Sequence, residues 1–352
     1  MLLLPLAVLG SVVAVQAQPA QPEVESFTEI AMGVDVTVKV AAPEAADRLA
    51  VARLAMAEVR ACDDALSDWQ ASSECRRLPR TAGTATIASD RLFTATARSI
   101  EIARSTEGRF DPTISPIVQA WRAARAKGAL PDTATVDAAR SRVGWQHVGL
   151  DAQARTITFG CDGMALDFGG IGKGFAAQRA SAAMAAMGQP SHLVAVAGDL
   201  VAGPVAPPGK PGWTIRKEDG LGEPFELMLL GEAVSTSGDL EQFIEIDGVR
   251  HSHIIDPRTG HALRDRTAAC VRGPDGATCD ALATALCVAG ARDAAGLMRA
   301  FAGYRASVTT INAHGVRAWS TSPGPEGPPC AAEAVRVPDA VTAPGAASQP
   351  QR

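Results

Sequence analysis

The sequence predicts an α+β fold in which antiparallel sheets are flanked by helices. Segments with apolar residues at helical spacing alternate along the chain with short strands rich in apolar and β-branched residues. Turn signals join several strands at hairpin distance, most clearly Asp247-Gly248 between Phe243–Ile246 and Arg250–Ile255. The 352 residues, 47% of them hydrophobic and 20% charged, are enough for one large domain or two.

The two ends of the chain differ in composition from the rest. Residues 1–17 are apolar and end in Val15-Gln16-Ala17, a small-residue pattern that suits a cleavage site, so we expect a secretory signal peptide. Because no Lys or Arg precedes the apolar run, an uncleaved N-terminal anchor helix is the alternative. Residues 323–352 are rich in Pro, Ala, Gly and Ser, which predicts a disordered tail.

Charge, aromatic content and cysteine spacing exclude several classes of function. A net charge of −5 gives no electrostatic basis for binding nucleic acid. Aromatic residues make up only 4% of the chain, which argues against an aromatic-lined cleft for sugars or bases. The seven cysteines include no C-x-x-C pair, so neither a thioredoxin-like motif nor a zinc ribbon is supported.

Local patterns predict the remaining elements in chain order. The predicted strands are Phe27–Val40, Val148–Leu150, Thr156–Phe159, His192–Val201, Trp213–Arg216, Phe225–Leu230, Ala306–Ile311 and Val316–Trp319. The predicted helices cover residues 44–66, 90–106, 132–143, 175–187, 278–290 and 292–302. Between them, the hydroxyl-rich segment Ala233–Asp239 is predicted to be a polar turn.

A glycine-rich segment before the fourth helix is the first candidate site. It begins with the apolar run Met164–Phe168, a predicted strand that contains Asp167, and it includes Lys173. The glycines are Gly169, Gly170, Gly172 and Gly174. A strand, a glycine turn and a helix start can together present backbone N–H groups to a phosphate. The segment matches neither a P-loop nor G-x-G-x-x-G, so a tight structural turn with an exposed lysine is the alternative.

Two further groups of polar residues suit chemistry with phosphates. Asp280 and Thr284 are one helical turn apart and offer a carboxylate and a hydroxyl, which suits Mg²⁺; an N-cap aspartate with a buried threonine is the alternative. His253 lies close to Asp256 and could act as a general base, or it could simply be packed at the end of a hairpin. These features together predict a phosphate-containing ligand bound with Mg²⁺.

Eight short segments, taken in order over residues 27–320, resemble the FAD:protein FMN transferases, the ApbE-type flavin transferases of the bacterial envelope. These segments are Met32-Gly33, Ser67-Asp-Trp69 with Ser73-Glu74, Gly108-Arg-Phe-Asp-Pro-Thr113, Asp167-Phe-Gly-Gly-Ile-Gly-Lys-Gly174, Ala197-Gly-Asp199, Ser235-Thr-Ser-Gly-Asp239, His253-Ile-Ile-Asp-Pro-Arg-Thr-Gly260 and Asp280-Ala-Leu-Ala-Thr284. The resemblance implies a T-fold-like α+β fold and a periplasmic protein, with contact to the inner membrane only through an uncleaved anchor.

The resemblance also implies an activity and a set of site residues. FAD would be the substrate and Mg²⁺ the cofactor, with FMN moving to a Thr or Ser hydroxyl of an acceptor flavoprotein and AMP leaving. The FAD site would be lined by Met32, Trp69, Arg109, Phe110, Asp111, Asp167, Lys173 and Ile255. The metal would be held by Asp280, Thr284 and the backbone carbonyl of Gly170, and His253, with Asp256, would accept the proton of the attacking hydroxyl.

Two other functions use the same residues, and four positions depart from the family pattern. One alternative is an FAD pyrophosphatase that produces FMN and AMP, and the other is a periplasmic flavin-binding protein without turnover. The departures are Trp69 in place of Tyr, Pro79 in place of Asn, Ala197 in place of Gly and Ala283 in place of an acid. An intact Asp280/Thr284 pair favours turnover over storage, because binding FAD does not in itself require a metal.

Overall fold

The computed structural model describes residues 23–42, 44–217, 225–238 and 242–321. The predicted signal peptide at 1–17 and the predicted tail at 323–352 lie outside these ranges. Within them, seven helices accompany antiparallel sheets, which confirms the predicted α+β class.

The described strands and helices follow one another along the chain with short connections. The strands are β1 (Glu23–Ala31), β2 (Val34–Ala42), β3 (Thr86–Ile87), β4 (Val148–Asp151), β5 (Thr156–Phe159), β6 (His192–Val196), β7 (Asp199–Ala202), β8 (Trp213–Lys217), β9 (Phe225–Leu229), β10 (Ala233–Gly238), β11 (Phe243–Ile246), β12 (Val249–Ser252), β13 (Ile255–Asp256), β14 (His261–Ala262), β15 (Arg266–Gly273), β16 (Arg305–Asn312) and β17 (Gly315–Ser320). The helices are α1 (Ala45–Leu66), α2 (Glu74–Arg77), α3 (Asp90–Ser105), α4 (Ser115–Arg125), α5 (Thr133–Arg140), α6 (Gly172–Ala186) and α7 (Gly276–Met298).

An eight-stranded sheet forms the centre of the described protein, and all its neighbouring strands are antiparallel. Its spatial order is β1-β2-β6-β7-β10-β15-β16-β17. The helices α1, α6 and α7 pack against it, and the main apolar core lies between them and the sheet. The hairpin β8–β9 contributes Trp213, Ile215 and Leu229 to a second cluster that also contains Leu193 and Val234 of the sheet. Full burial of each large side chain stabilises the fold by about 1.5–3 kcal/mol.

Helix α7 is the one helix in the described ranges whose length and composition would allow it to cross a membrane. Most of its residues are buried against the sheet and α6, so it is the central helix of the core. Asp275 caps its N-terminus by accepting a hydrogen bond from the Thr278 N–H. Gly290 interrupts it with φ 64° and ψ 174°, which confirms the predicted helix end at this residue.

Two predicted strands of the central sheet are wrong in their boundaries. The predicted strand Phe27–Val40 is two strands, β1 and β2, joined by a reversal at Met32 and Gly33 with φ of 54° and 71°. The predicted strand His192–Val201 is likewise divided into β6 and β7, with Ala197 at φ 50°.

The predicted polar turn at Ala233–Asp239 is instead strand β10, which ends at Gly238; Asp239 lies outside the described residues. It pairs with β7 on one side and with β15 on the other, inside the central sheet. Its hydroxyl groups are used within the protein, since the Ser235 side chain is buried and bonded to Asp199. Strand pairing on both sides therefore decides the conformation of this segment.

Candidate active site

The glycine-rich segment lies where α6 begins, close to the first half of α7. Its first part, Met164–Phe168, is buried but forms no strand, which corrects the prediction. The Asp167 carboxylate accepts a hydrogen bond from the Gly169 N–H at 2.8 Å and so fixes the start of the turn. Helix α6 then begins at Gly172 without a side-chain cap, so its first turn is open to a ligand or to other parts of the protein.

Lys173 is paired with two buried carboxylates, so the alternative of an exposed lysine is wrong. Its Nζ lies 3.0 Å from Asp199 Oδ2 and 3.6 Å from Asp280 Oδ2. The Ser235 hydroxyl donates to the other Asp199 oxygen, and the Gly174 N–H donates to Asp280 Oδ2 at 3.0 Å. This network joins α6, α7, β7 and β10 at one point.

The network contains two carboxylates and one ammonium group, and this imbalance affects the pKa values of Asp280 and Lys173. Burial and the charge of Asp199 raise the pKa of Asp280 to about 7, although Lys173 acts in the opposite direction. Burial lowers the pKa of Lys173, but Asp199 and Asp280 together raise it above its ordinary value. Lys173 is therefore charged, and the site retains unbalanced negative charge that favours a cation.

The three predicted metal ligands lie near one another at the contact between α6 and α7. A Cβ added to Gly170 would lie 3.0 Å from the Thr284 hydroxyl oxygen, so the two residues are in close approach. Asp280 lies one turn before Thr284 on α7. A carboxylate, a hydroxyl and a backbone carbonyl are all hard oxygen donors, which fits Mg²⁺. No group of three or more His, Cys, Asp or Glu residues in the described chain could hold a metal.

Met32 lies at the reversal between β1 and β2, facing the start of α6. Its N–H donates to Asp63 Oδ2 at 3.0 Å, which stabilises the positive φ of this residue. Its Cε would lie 3.6 Å from a Cβ placed on Gly172. Asp63 also accepts from the Gln70 side chain at 3.0 Å, so this one carboxylate connects the Met32 turn to the loop after α1.

Trp69 lies in that loop and is 74% exposed. The guanidinium of Arg122 stacks over its ring at 3.7 Å from the centroid and pairs with Asp68 at 2.5 Å. Burial, together with the charge of Asp68, raises the pKa of Asp167 to about 6. The carboxylate of Asp68, next to Trp69 in the chain, thus acts electrostatically on Asp167 of the glycine-rich segment. The exposed Trp69 indole suits a stacking role.

The other predicted FAD contacts are mostly buried side chains. Asp111 accepts hydrogen bonds from the Thr113 N–H at 2.8 Å and from the Trp145 N–H at 3.0 Å, and burial raises its pKa. Phe110 and Ile255 are 4% and 5% exposed. These three side chains are therefore part of the protein interior.

Arg109 is partly exposed among these residues. Its Nη1 lies 3.1 Å from Glu107 Oε2 and also donates to the Thr106 carbonyl at 3.3 Å.

His253 has a different partner from the one predicted. Its Nδ1 lies 2.9 Å from the backbone carbonyl of Gln242. A carbonyl can only accept, so Nδ1 carries the hydrogen and, in the neutral ring, Nε2 carries the lone pair. Asp256 instead accepts from Arg258 through both carboxylate oxygens, at 2.9 and 2.8 Å. A backbone group therefore orients the imidazole.

The fold and this site define an α+β protein of the flavin transferase class. A profile of the ApbE family matches residues 32–308, and the chain belongs to this family. The fold class is confirmed by a crystal structure of the Pseudomonas stutzeri flavinyl transferase ApbE, with a TM-score of 0.76, 28% identity and coverage of 87% of this chain and 97% of that one. The ApbE protein of Thermotoga maritima has the same fold, with a TM-score of 0.74 at 23% identity over 85% and 97% of the two chains.

Sequence relatives agree with this classification. A FAD:protein FMN transferase of Treponema pallidum is 33% identical over 240 residues, which cover 63% of this chain and 66% of the relative. One from Klebsiella pneumoniae is 28% identical over 278 residues, covering 76% and 79%. The chain thus spans about two thirds to four fifths of the length of these relatives. By this relationship the chain is an enzyme of the transferase class.

Several residues of the site have no role in the sequence prediction. They are Asp63, Asp68, Arg122, Asp199, Ser235 and Gln242. Asp199 and Ser235 lie in segments that resemble the family, so the sequence indicates that they belong near the site. It does not indicate which residues they contact. Gln242 contributes only its carbonyl, and a backbone group leaves no trace in the sequence.

Proposed function

We propose that this chain transfers the FMN moiety of FAD to a threonine or serine hydroxyl of an acceptor flavoprotein, releasing AMP. The observation that carries the proposal is the convergence of Lys173, Asp280 and Thr284 on the glycine-rich turn before α6. That arrangement combines a cation-binding set of oxygens with a fixed ammonium group, which suits a pyrophosphate. The chain's place in a family of FAD:protein FMN transferases supports the choice of FAD.

The proposed reaction is a single phosphoryl transfer. The acceptor oxygen attacks the phosphorus of the FMN half of FAD and forms a new P–O bond. The P–O bond to the AMP half breaks, and AMP leaves with the electron pair. His253 Nε2 takes the hydroxyl proton, since the Gln242 carbonyl holds the hydrogen on Nδ1. The products are a phosphoester-linked FMN and AMP, so atoms and charge balance.

The charged residues of the site would stabilise this reaction electrostatically. Asp280, Thr284 and the Gly170 carbonyl would hold Mg²⁺, which would supply positive charge to neutralise the pyrophosphate and to stabilise an in-line transition state. Lys173 would place a positive charge beside the phosphates, and Asp199 fixes its ammonium group at 3.0 Å. Preorganised charges of this kind are effective because they need no rearrangement during the reaction.

The remaining predicted contacts complete the proposal. Trp69 would stack on the flavin ring system, for which its exposed indole is suited. Met32, Arg109 and Asp167 would line the rest of the FAD site, with Phe110, Asp111 and Ile255 packed around it. The protein would act in the periplasm, exported by residues 1–17 or anchored by them to the inner membrane.

Nucleotide products separate this function from its two alternatives. The chain is incubated with FAD and Mg²⁺, with and without an acceptor flavoprotein domain, and AMP, FMN and FAD are quantified by chromatography. Transfer predicts AMP release that depends on the acceptor and exceeds free FMN. Equal amounts of AMP and FMN without an acceptor would instead indicate an FAD pyrophosphatase. FAD that remains intact under all conditions would indicate a flavin-binding protein and contradict the proposal.

A further inference from the structure

A second group of basic side chains lies beside β12, on the segment that leads into His253. It consists of Arg125 at the end of α4, His251 on β12 and Arg264 after β14. Trp121 is close to the first two: its ring centroid is 5.7 Å from that of His251 and 5.8 Å from the Arg125 guanidinium carbon. We call Arg125, His251 and Arg264 the β12 basic group.

Arg125 is a partly buried guanidinium that lacks a carboxylate partner in the described ranges. Its Nη2 donates to the backbone carbonyl of Ser252, the residue before His253. Its Nε is buried without a hydrogen-bond partner among the described residues. Burial and the nearby charge of Arg122 lower its pKa. The charge of Arg125 is therefore held at this position without local neutralisation.

His251 is also incompletely bonded. Its side chain is only 3% exposed, and within the described chain its Nε2 is buried without a partner. Burial lowers its pKa, and so do the charges of Arg264 and Arg125, so the ring is neutral at pH 7. A neutral imidazole carries one N–H, which can serve as a hydrogen-bond donor to an anion.

Two unpartnered buried nitrogens so close to one indole ring are unusual. The large majority of buried side-chain polar atoms have a hydrogen-bond partner, and leaving a buried donor unsatisfied is unfavourable. Within the described ranges, the charges that shift the pKa values of His251 and Arg125 are those of arginines, so the ligand that would satisfy these groups is an anion. Arginine binds carboxylates and phosphates with paired N–H donors, which defines the chemical class.

We propose that Arg125 and His251 form an oxyanion subsite, with Arg264 adding positive charge, that binds a carboxylate or phosphate group of a reaction partner next to His253. The inference rests on the proposed transfer of FMN, because that reaction brings two reactants that carry oxyanions, FAD and the acceptor polypeptide, to His253. The oxyanion is then either a phosphate of FAD or a carboxylate on the acceptor polypeptide. In both cases the subsite would orient a reactant with respect to the base.

Anion binding can be tested without any turnover. The full chain is titrated with inorganic phosphate, and separately with acetate, at constant ionic strength, while the His251 ring resonances are followed by NMR. His251→Gln identifies those resonances by their loss. We expect a saturable shift with at least one anion, and a loss of affinity of about tenfold or more in Arg125→Gln. Absence of a saturable shift with both anions would overturn the proposal.

A matched charge variant and a conservative variant exclude indirect effects. Arg53 lies exposed on α1, so Arg53→Gln makes the same change in net charge away from β12 and should retain wild-type affinity. Arg125→Lys retains the charge and should bind more tightly than Arg125→Gln. Equal losses in Arg53→Gln and Arg125→Gln would show a general charge effect and contradict the subsite.

Competition then identifies the source of the oxyanion. Displacement of the bound anion by FAD, with weaker FAD binding in Arg125→Gln, assigns the subsite to a phosphate of FAD. Displacement only by the acceptor domain that becomes labelled in the transfer assay assigns it to an acceptor carboxylate. Displacement by neither would separate the subsite from the reaction and contradict its proposed role. Anion binding and FMN transfer are measured separately, so either can fail alone.

Discussion

The backbone N–H of Gly174 donates a hydrogen bond to the Asp280 carboxylate at 3.0 Å, across 106 positions of the chain. The contact exists because two glycines let α6 and α7 approach closely at their N-terminal ends. A Cβ on Gly174 would lie 2.2 Å from the Gly276 carbonyl oxygen and 2.7 Å from the Asp280 Cβ. The position of the candidate metal ligand Asp280 thus depends on the absence of a side chain on the facing helix.

Replacing Gly174 by Ala should therefore destabilise the protein and displace Asp280. Both nearest atoms belong to α7, so the helices must separate, at a cost of about 1–3 kcal/mol. Gly296→Ala is the matched control, because its added Cβ would lie 3.6 Å from the Arg299 side chain, an ordinary contact. That variant should gain about 0.5–1 kcal/mol from helix propensity. Urea unfolding measures both, and equal stabilities would contradict the packing argument.

Lys173→Met should lower the free energy of unfolding by about 3 kcal/mol. The substitution removes the one cation that pairs with Asp199 among the described residues and leaves two buried carboxylates close to each other. The double variant Lys173→Met/Asp199→Asn removes one of these charges and should recover much of the loss. Lys127→Met, at an exposed position after α4, serves as the control. Urea unfolding measures the stability of each variant. Equal stabilities of Lys173→Met and Lys127→Met would contradict the ion-pair role of Lys173.

Trp69→Ala should weaken FAD binding about tenfold, since stacking stabilises aromatic pairs by about 0.5–1.5 kcal/mol beyond area burial. Stability should change by no more than about 1 kcal/mol, because the residue is 74% exposed and its main contact is Arg122. Trp69→Phe keeps a stacking surface and should remain close to wild type. Quenching of flavin fluorescence gives the dissociation constants, and unchanged FAD affinity in Trp69→Ala would contradict a stacking role.

His192 should make stability depend on pH. Its ring is fully buried, with Nδ1 2.6 Å from the Gln189 carbonyl and Nε2 2.8 Å from the Ser181 hydroxyl, and burial lowers its pKa. In the unfolded chain its pKa returns to about 6.5, so the unfolded state binds the proton first as pH falls. The free energy of unfolding should therefore be highest above about pH 6.5 and decrease below it. In His192→Gln this pH-dependent contribution to the free energy of unfolding should vanish. Identical pH profiles of that free energy in the variant and the wild type would contradict the role of His192.

Local sequence patterns predicted the helices α1, α3, α5, α6 and α7 but not α2, and they missed the two reversals in the central sheet. Turns of this kind usually contain Asn-Gly or Asp-Gly, as at Asp247-Gly248, which was predicted correctly. Met32 and Ala197 adopt positive φ without that signal, because their reversals are enforced by strand pairing and, at Met32, by Asp63. Val34, Val36, Val38 and Val40 alternate directly after the Met32 reversal, so this stretch reads as part of one longer strand.

The site was predictable to the extent that its chemistry depends on side-chain type and helical spacing. Asp280 and Thr284 share a face of α7 because they are one turn apart, and the structure brings them to the glycine-rich turn. The pairing of Lys173 with Asp199 depends on contacts between α6 and β7, which local spacing does not encode. The carbonyl that orients His253 belongs to a backbone, and every residue has one.

Intact mass of the acceptor tests the central claim most directly. The chain is incubated with FAD, Mg²⁺ and an acceptor flavoprotein domain, beside the same domain with its acceptor Thr or Ser replaced by Ala. Transfer predicts that the unaltered domain gains the mass of one phosphoester-linked FMN, that AMP appears in equal amount, and that the Ala variant gains nothing. An acceptor that stays unlabelled while FAD is consumed to AMP and free FMN would contradict the assignment of this chain as an FMN transferase.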